Sequence, residues 1–201
     1  MLHESGLSAC TLNPAPYRQR MLVFFQTKEQ INAFLERVHV MICPSCGASG
    51  ALRRHGTIRG YVSPKKRGIR AWRIHCKRSR GGCGRAPSVR LSSTLRFRCI
   101  TAPQLWDFML ALKHAPSVKA AWEEANIPLS LDSGYALYKR LWRCQSIIRT
   151  RLHSRAPPRQ EERCAESSLL QMFTHLQDTF EKVCVLSAFQ HLFQTDFMGV
   201  A

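Results

Sequence analysis

The sequence predicts an α+β fold: a small cysteine-bounded β-hairpin domain, then a three-helix bundle, then an amphipathic helical tail. Three observations predict it. Two pairs of cysteines, Cys43/Cys46 and Cys76/Cys83, bracket β-prone runs separated by turn residues. Residues 101–154 repeat apolar side chains at helical spacing behind clear caps. Lysine and arginine total 30 against 13 acidic residues, and residues 37–100 alone hold 16 basic residues and no acidic one. With 201 residues and 45% hydrophobic content, the chain suits one domain or two small ones around a buried core.

Residues 1–17, with Pro14 and Pro16, read as a flexible lead. Residues 18–42 carry a short strand and helix into the first cysteine. Thr27 and Gln30 have the spacing of a capping box, and Ile31, Phe34, Leu35 and Val38 extend it as a helix over 28–39. Residues 43–100 form the hairpin domain: a strand over 51–62, a turn at 64–68, a return strand over 69–76 and a short third strand over 88–91. On the return strand Arg70, Trp72 and Ile74 share one face, and Ala71, Arg73 and His75 the other.

Residues 101–154 read as three helices. Thr101 and Gln104 form a second capping box, Pro103 is tolerated in the first turn, and Leu105, Phe108, Met109 and Leu112 make the stripe. Ser117 caps the second helix, striped by Val118, Ala121, Trp122 and Ala125, and residues 126–130 break it. The third runs over 132–153 with Leu137, Leu141, Cys144, Ile148 and Leu152 inward and Lys139, Arg140 and Arg143 on the opposite side. Trp106, Trp122 and Trp142 are assigned to the core. Residues 155–166 read as a linker, and 167–201 as the amphipathic tail, with Leu169, Met172, Phe173, Leu176 and Phe180 followed by an apolar run over 183–193.

Several functions are disfavoured at once. No apolar run nears the roughly 18–20 residues of a bilayer span, so no membrane role is expected. The first ten residues, MLHESGLSAC, lack the layout of a secretory signal, so a cytoplasmic location is expected. Asp107 is the first acidic residue after Glu36, and carboxylate-cluster chemistry finds no motif to rest on. There is no P-loop, GxGxxG or HExxH, so the chain is expected not to be an enzyme.

Nine cysteines in a cytosolic chain point to metal binding or free thiols before disulfides. Cys43 and Cys46 stand two residues apart before Gly47, a spacing that lets two thiolates chelate one tetrahedral ion while the turn aims backbone N–H groups at the sulfurs. Cys76 and Cys83-Gly84 supply the second pair, at the wider spacing C-x6-C. The whole reads as a zinc ribbon holding one structural Zn²⁺ on Cys43, Cys46, Cys76 and Cys83. His75 in place of Cys76, or four incidental thiols, are the alternatives. Cys10, Cys99, Cys144, Cys164 and Cys184 lack paired spacing and read as apolar fillers or free thiols.

Arg53, Arg54, Arg59, Lys65, Lys66, Arg67, Arg70, Arg73, Lys77, Arg78 and Arg80 lie on or between the strands. Ordinary solvated surfaces intersperse both signs of charge. Positives without negatives suit nucleic-acid phosphates. An anionic membrane suits them less, because no insertion helix accompanies them. The three helices fit a helix-turn-helix, whose last helix would offer Ser133, Tyr135, Lys139, Arg140 and Arg143 to DNA. They equally fit a plain bundle with a solvated basic face.

A CPxCG knuckle, a basic hairpin, the Cys83-Gly84-Arg85 knuckle, Ser88-Val89-Arg90-Leu91, Leu105-Trp106 and a helix-turn-helix follow in this order. Over about residues 43–150 this resembles the N-terminal DNA-binding region of bacterial insertion-sequence transposases of the DDE type. The resemblance implies binding of transposon-end DNA and a nucleoid-associated place in a bacterial cytoplasm. The RNase H-like catalytic domain of that family has no counterpart in the roughly 50 residues that follow, so an accessory protein or remnant is expected. Duplex DNA is the expected partner. RNA is the alternative, with Trp72 or Tyr61 stacking on bases, as is an adaptor that pairs with itself or with a transposase through residues 167–193.

Overall fold

The computed structural model describes residues 22–63, 66–96, 99–157, 167–180 and 184–199. The expectations for residues 1–17, Lys65, Cys10, Cys164 and most of the 155–166 linker lie outside them. Among the described residues the chain is α+β, with a four-stranded mixed sheet and six helices.

The sheet lobe comes first. β1 (Leu22–Phe25) leads into α1 (Lys28–Arg37), whose start is the capping box expected. The Thr27 hydroxyl accepts the Gln30 N–H at 3.2 Å, and Gln30 Oε1 accepts the Thr27 N–H at 3.3 Å. Ile31 and Leu35 are buried, and a 3-10 turn at Val38–Val40 delivers the chain to the first knuckle. β2 (Leu52–Ser63) and β3 (Lys66–Cys76) form an antiparallel hairpin paired out to Ser63 and Lys66. The turn is therefore shorter than the expected 64–68. Gly60 and Gly68 face each other in the ladder, where the absence of side chains lets pairing continue.

β4 (Ser88–Leu91) pairs in parallel with all of β1 but with β3 only through Trp72–Val89 and Arg73–Ser88. The sheet order is β1-β4-β3-β2. The outer part of the hairpin thus has no third strand beside it. Residues 58–63 and 66–71 pair only with each other, as a two-stranded arm about 20 Å long at the usual rise per strand residue, with Ala71 buried at its base.

α1 covers one face of the sheet, burying Ile31, Leu35 and Val38 against Leu52, Ile74 and Val89. The edge strand β1 is blocked by a side chain. Gln194 Oε1 accepts the Phe24 N–H at 2.8 Å, and Gln194 Nε2 donates to the Phe24 carbonyl at 3.2 Å.

The helical lobe follows. α2 (Ala102–His114) carries the second capping box, the Gln104 N–H donating to the Thr101 hydroxyl at 3.4 Å. α3 (Val118–Glu124) is capped by Ser117, which accepts the Ala120 N–H at 3.1 Å. α4 (Leu131–His153) buries Leu137, Leu141, Cys144, Ile148 and Leu152 as its spacing requires. Trp122 packs edge-on to Phe108 at 5.0 Å and donates its indole N–H to the Leu129 carbonyl at 3.2 Å. Gly134 is needed beneath it, since a Cβ there would sit 2.8 Å from the indole.

α5 (Ser168–Thr179) and α6 (Val185–Phe193) place the apolar stripes of the tail in this same core, with Met172, Phe173, Leu176, Leu186 and Phe189 fully buried. The tryptophan assignment divides. Trp122 is buried and Trp106 is half-buried against the core, but Trp142 is exposed. One position past Leu141 it has turned about 100° away from the inward stripe.

α6 and the segment after it stitch the lobes together. Gln190 donates to the Ser92 and Thr94 carbonyls and accepts the Phe197 N–H at 3.0 Å. Arg151 reaches the Thr195 hydroxyl at 3.0 Å, and Arg140 Nε donates to the Met198 carbonyl at 2.8 Å. Asp196 is buried with Arg96 Nη1 at 3.7 Å. Burial pushes its carboxyl pKa up, against the pull of Arg90, Arg96 and Arg140. Among the described residues no helix is long and apolar enough to cross a membrane.

Candidate metal centre and basic surface

The first knuckle is a tight backbone turn. The Cys43 N–H donates to the Ala48 carbonyl at 2.9 Å, and the Gly47 N–H donates to the Cys43 carbonyl at 2.7 Å. Gly47 sits at φ 73°, in the left-handed region where glycine carries no steric cost. The second pair is brought together differently. Cys76 ends β3, residues Arg78–Arg80 form a 3-10 turn, and Gly81 at φ 72° reverses the chain towards Cys83. The six residues between these cysteines are thus folded into a compact loop. Gly82 lets the loop close, since a Cβ there would press on Cys76 Sγ and the Lys77 carbonyl oxygen and force them to shift.

The result is one cluster. The sulfurs of Cys43, Cys46, Cys76 and Cys83 all lie within 4.8 Å of one another. Cys43 to Cys83 is 3.9 Å and Cys46 to Cys76 is 3.8 Å. Four thiolates at 2.3 Å from a tetrahedral ion stand about 3.8 Å apart, so the donor set fits one metal ion with little movement. His75 is outside the cluster: it sits on the other face of β3, its ring 5.2 Å from His55.

The thiols differ in their hold on the proton. The Ala48 N–H, foremost, brings Cys46 down to about 7, whereas burial pushes Cys76 up to about 12. The Cys83 N–H also donates to Cys76 Sγ, at 3.3 Å. A cation held by the cluster would supply the charge that lets the buried Cys76 give up its proton.

The basic residues nominated from sequence fall into two groups. Arg54, Arg59, Lys66, Arg67, Arg73, Lys77, Arg78 and Arg80 are exposed, and Lys65 lies outside the described residues. The strand register places Arg59, Tyr61, Arg67 and Ile69 on one face of the hairpin, and Arg67 stands 5.2 Å from the Tyr61 ring centroid. Arg53 and Arg70 are half-buried and already bound. Arg53 donates to the Leu52 carbonyl at 2.6 Å, and Arg70 donates to the Tyr61 carbonyl at 2.5 Å and to that of Leu95. Burial lowers the Arg70 pKa. Through these bonds Arg70 braces the arm, while Arg53 is held at the base of the hairpin.

On α4, Tyr135, Lys139 and Arg143 are exposed, and Ser133 is half-buried with its hydroxyl 3.3 Å from that of Ser130. Arg140 is tied to Met198. Sequence reasoning missed the exposed Trp142, the buried Arg90 and the Asp196 junction. The helical phase of Trp142 signalled the first, while the other two depend on long-range packing. A comparison with protein-family models, curated proteins and solved structures yields no significant match to this chain.

Proposed function

We propose that this chain is a zinc-stabilised, non-enzymatic DNA-binding protein, in which a zinc ribbon carries a basic arm along the phosphate backbone and a helix-turn-helix formed by α3 and α4 enters the major groove. The observation that carries the reading is the arm. It projects past the third strand, bears Arg59, Lys66 and Arg67 exposed, and belongs to a segment of 64 residues without one acidic side chain. Zinc suits an all-thiolate, tetrahedral donor set whose four positions are filled by protein, an arrangement that stabilises a fold without catalysing a reaction.

In α4, Ser133, Tyr135 and Lys139 occupy the first turns, where a recognition helix meets base edges, and Arg143 is placed for a phosphate. The resemblance to the N-terminal region of insertion-sequence transposases supports the same reading. The test is binding of duplex DNA by the metal-loaded protein over a salt series. Each phosphate neutralised contributes about −0.9 to the log–log slope. Changing Arg59, Lys66 and Arg67 together to alanine is expected to flatten the slope by about 3 of those contributions. Salt-insensitive binding, or none, contradicts the reading.

A further inference from the structure

We infer that the exposed face of α4 is a stacking surface for unpaired bases, so that the DNA this chain prefers carries a single-stranded stretch beside its duplex. The inference rests on the DNA-binding reading and narrows it: the basic arm holds the duplex, and the face of α4 takes the adjoining single strand in place of the major groove. Trp142 is 38% exposed and Tyr135 42% exposed, on a helix whose Leu137, Leu141, Cys144, Ile148 and Leu152 are buried. Seven residues separate the two rings, which is close to two helical turns, so both stand on the same side and about 10 Å apart along the axis. Tyr138 meets Trp142 edge to face, with centroids 6.3 Å apart and planes at 81°, and so holds the indole in place.

The surroundings choose the occupant. Lys139 lies between the two rings and Arg143 adjoins Trp142, both exposed, while Asp132 stands at the N-terminal end of the face. Planar rings interleaved with cations are what a single-stranded nucleic acid requires, since every base has a face to stack and every nucleotide a phosphate to neutralise. An intact duplex covers its base faces with neighbouring bases and offers none to an indole. The distance between the rings matches about three base steps at 3.4 Å each.

The experiment uses the full metal-loaded chain and three DNAs: a blunt duplex, the same duplex with an overhang of roughly ten thymidines, and the free oligothymidine. Affinity is read by anisotropy of the labelled DNA, and stacking by quenching of tryptophan emission. The overhang is expected to raise affinity on the order of tenfold, and free oligothymidine to quench the emission. Trp142→Ala removes both effects and leaves blunt-duplex affinity and the far-UV circular dichroism unchanged, Trp142→Phe restores part of the preference, and Tyr135→Ala weakens it less.

Equal affinity for blunt and overhang DNA, or an overhang preference that survives Trp142→Ala, overturns the inference while the duplex-binding reading stands. A change in sedimentation mass with Trp142→Ala and no change in DNA preference assigns the face to a protein partner and also overturns it. Failure to bind any of the three DNAs removes both readings together.

Discussion

The sheet lobe and the helical lobe of this chain hold themselves together by different means. Among the described residues nine form the buried core under α1, and two of them, Cys43 and Cys76, belong to the metal cluster. Twenty-four form the core of the helical lobe, where Cys144 is the one thiol among them. Self-repulsion is also unequal, because residues 37–100 carry all 16 of their charges with one sign. A lobe with a small core and a repelling surface needs another source of cohesion. On the proposed reading, four thiolates around a divalent ion would supply it, and their net charge of about −2 would offset part of the excess. The contrast teaches that the cysteine cluster and the basic arm belong together: the unbalanced charge sits where the apolar core is smallest and the four thiols converge.

Metal removal is the largest way to break the comparison. Chelation is expected to open residues 43–83 to amide exchange and proteolysis while α2, α4 and α5 keep their helical circular dichroism, since structural zinc sites are worth on the order of 10 kcal/mol. Hydrogen-exchange mass spectrometry of peptides from the two lobes reads the difference. Loss of both lobes in one transition would show that the seam at 190–198 couples them fully.

A core truncation tests the reverse direction. Ile148→Ala empties a fully buried site on α4 and is expected to cost about 2–5 kcal/mol in denaturant unfolding monitored by helix signal, with metal stoichiometry unchanged. Gly82→Ala acts on the other lobe alone. Its Cβ would press on Cys76 Sγ, so metal affinity should fall about 10–100-fold in competition with a chelating dye, while the thermal unfolding of the helical lobe is unaffected.

The smallest expected effect is a pH dependence confined to the helical lobe. His175 is buried between α4 and α5, its Nε2 2.9 Å from the Ala156 carbonyl and its ring 5.5 Å from His153. Burial, foremost, lowers its pKa from the usual 6.5, with His153 and Arg149 adding to the shift and the Ala156 bond and Asp178 opposing it. Below pH 6.5 the unfolded chain takes up a proton that the folded chain refuses. Stability is therefore complete above that pH and declines as pH falls through the lowered folded value. Thermal melts of the wild type and of His175→Phe between pH 7.5 and 5 check this, and the variant should show the shallower decline.

What could be read from residues alone was what depends on near neighbours. Thr27, Thr101 and Ser117 announce three helix starts because a capping hydroxyl bonds within its own first turn. Cys43 and Cys46 announce a chelating turn for the same reason. Cys76 and Cys83 were harder, because their closure depends on the 3-10 turn and Gly81 in the intervening loop. The parallel pairing of β1 with β4 joins residues more than 60 positions apart, and nothing local encodes it.

The basic residues show the limit most clearly. Arg53, Arg70 and Arg140 have the same composition signal as their neighbours, yet they bond carbonyls, while Arg59 and Arg67 face solvent. The amphipathic pattern at 167–193 marked an apolar stripe without saying what would cover it, and α2 and α4 do so.

The most direct measurement is the salt dependence of duplex binding by one protein preparation, before and after its metal is removed and again after zinc is restored. The account predicts a steep negative slope for the loaded protein, a slope reduced by several units of about 0.9 and a weaker affinity for the stripped protein, and full recovery with zinc. A slope and affinity that do not change when the four cysteines lose their metal would contradict it.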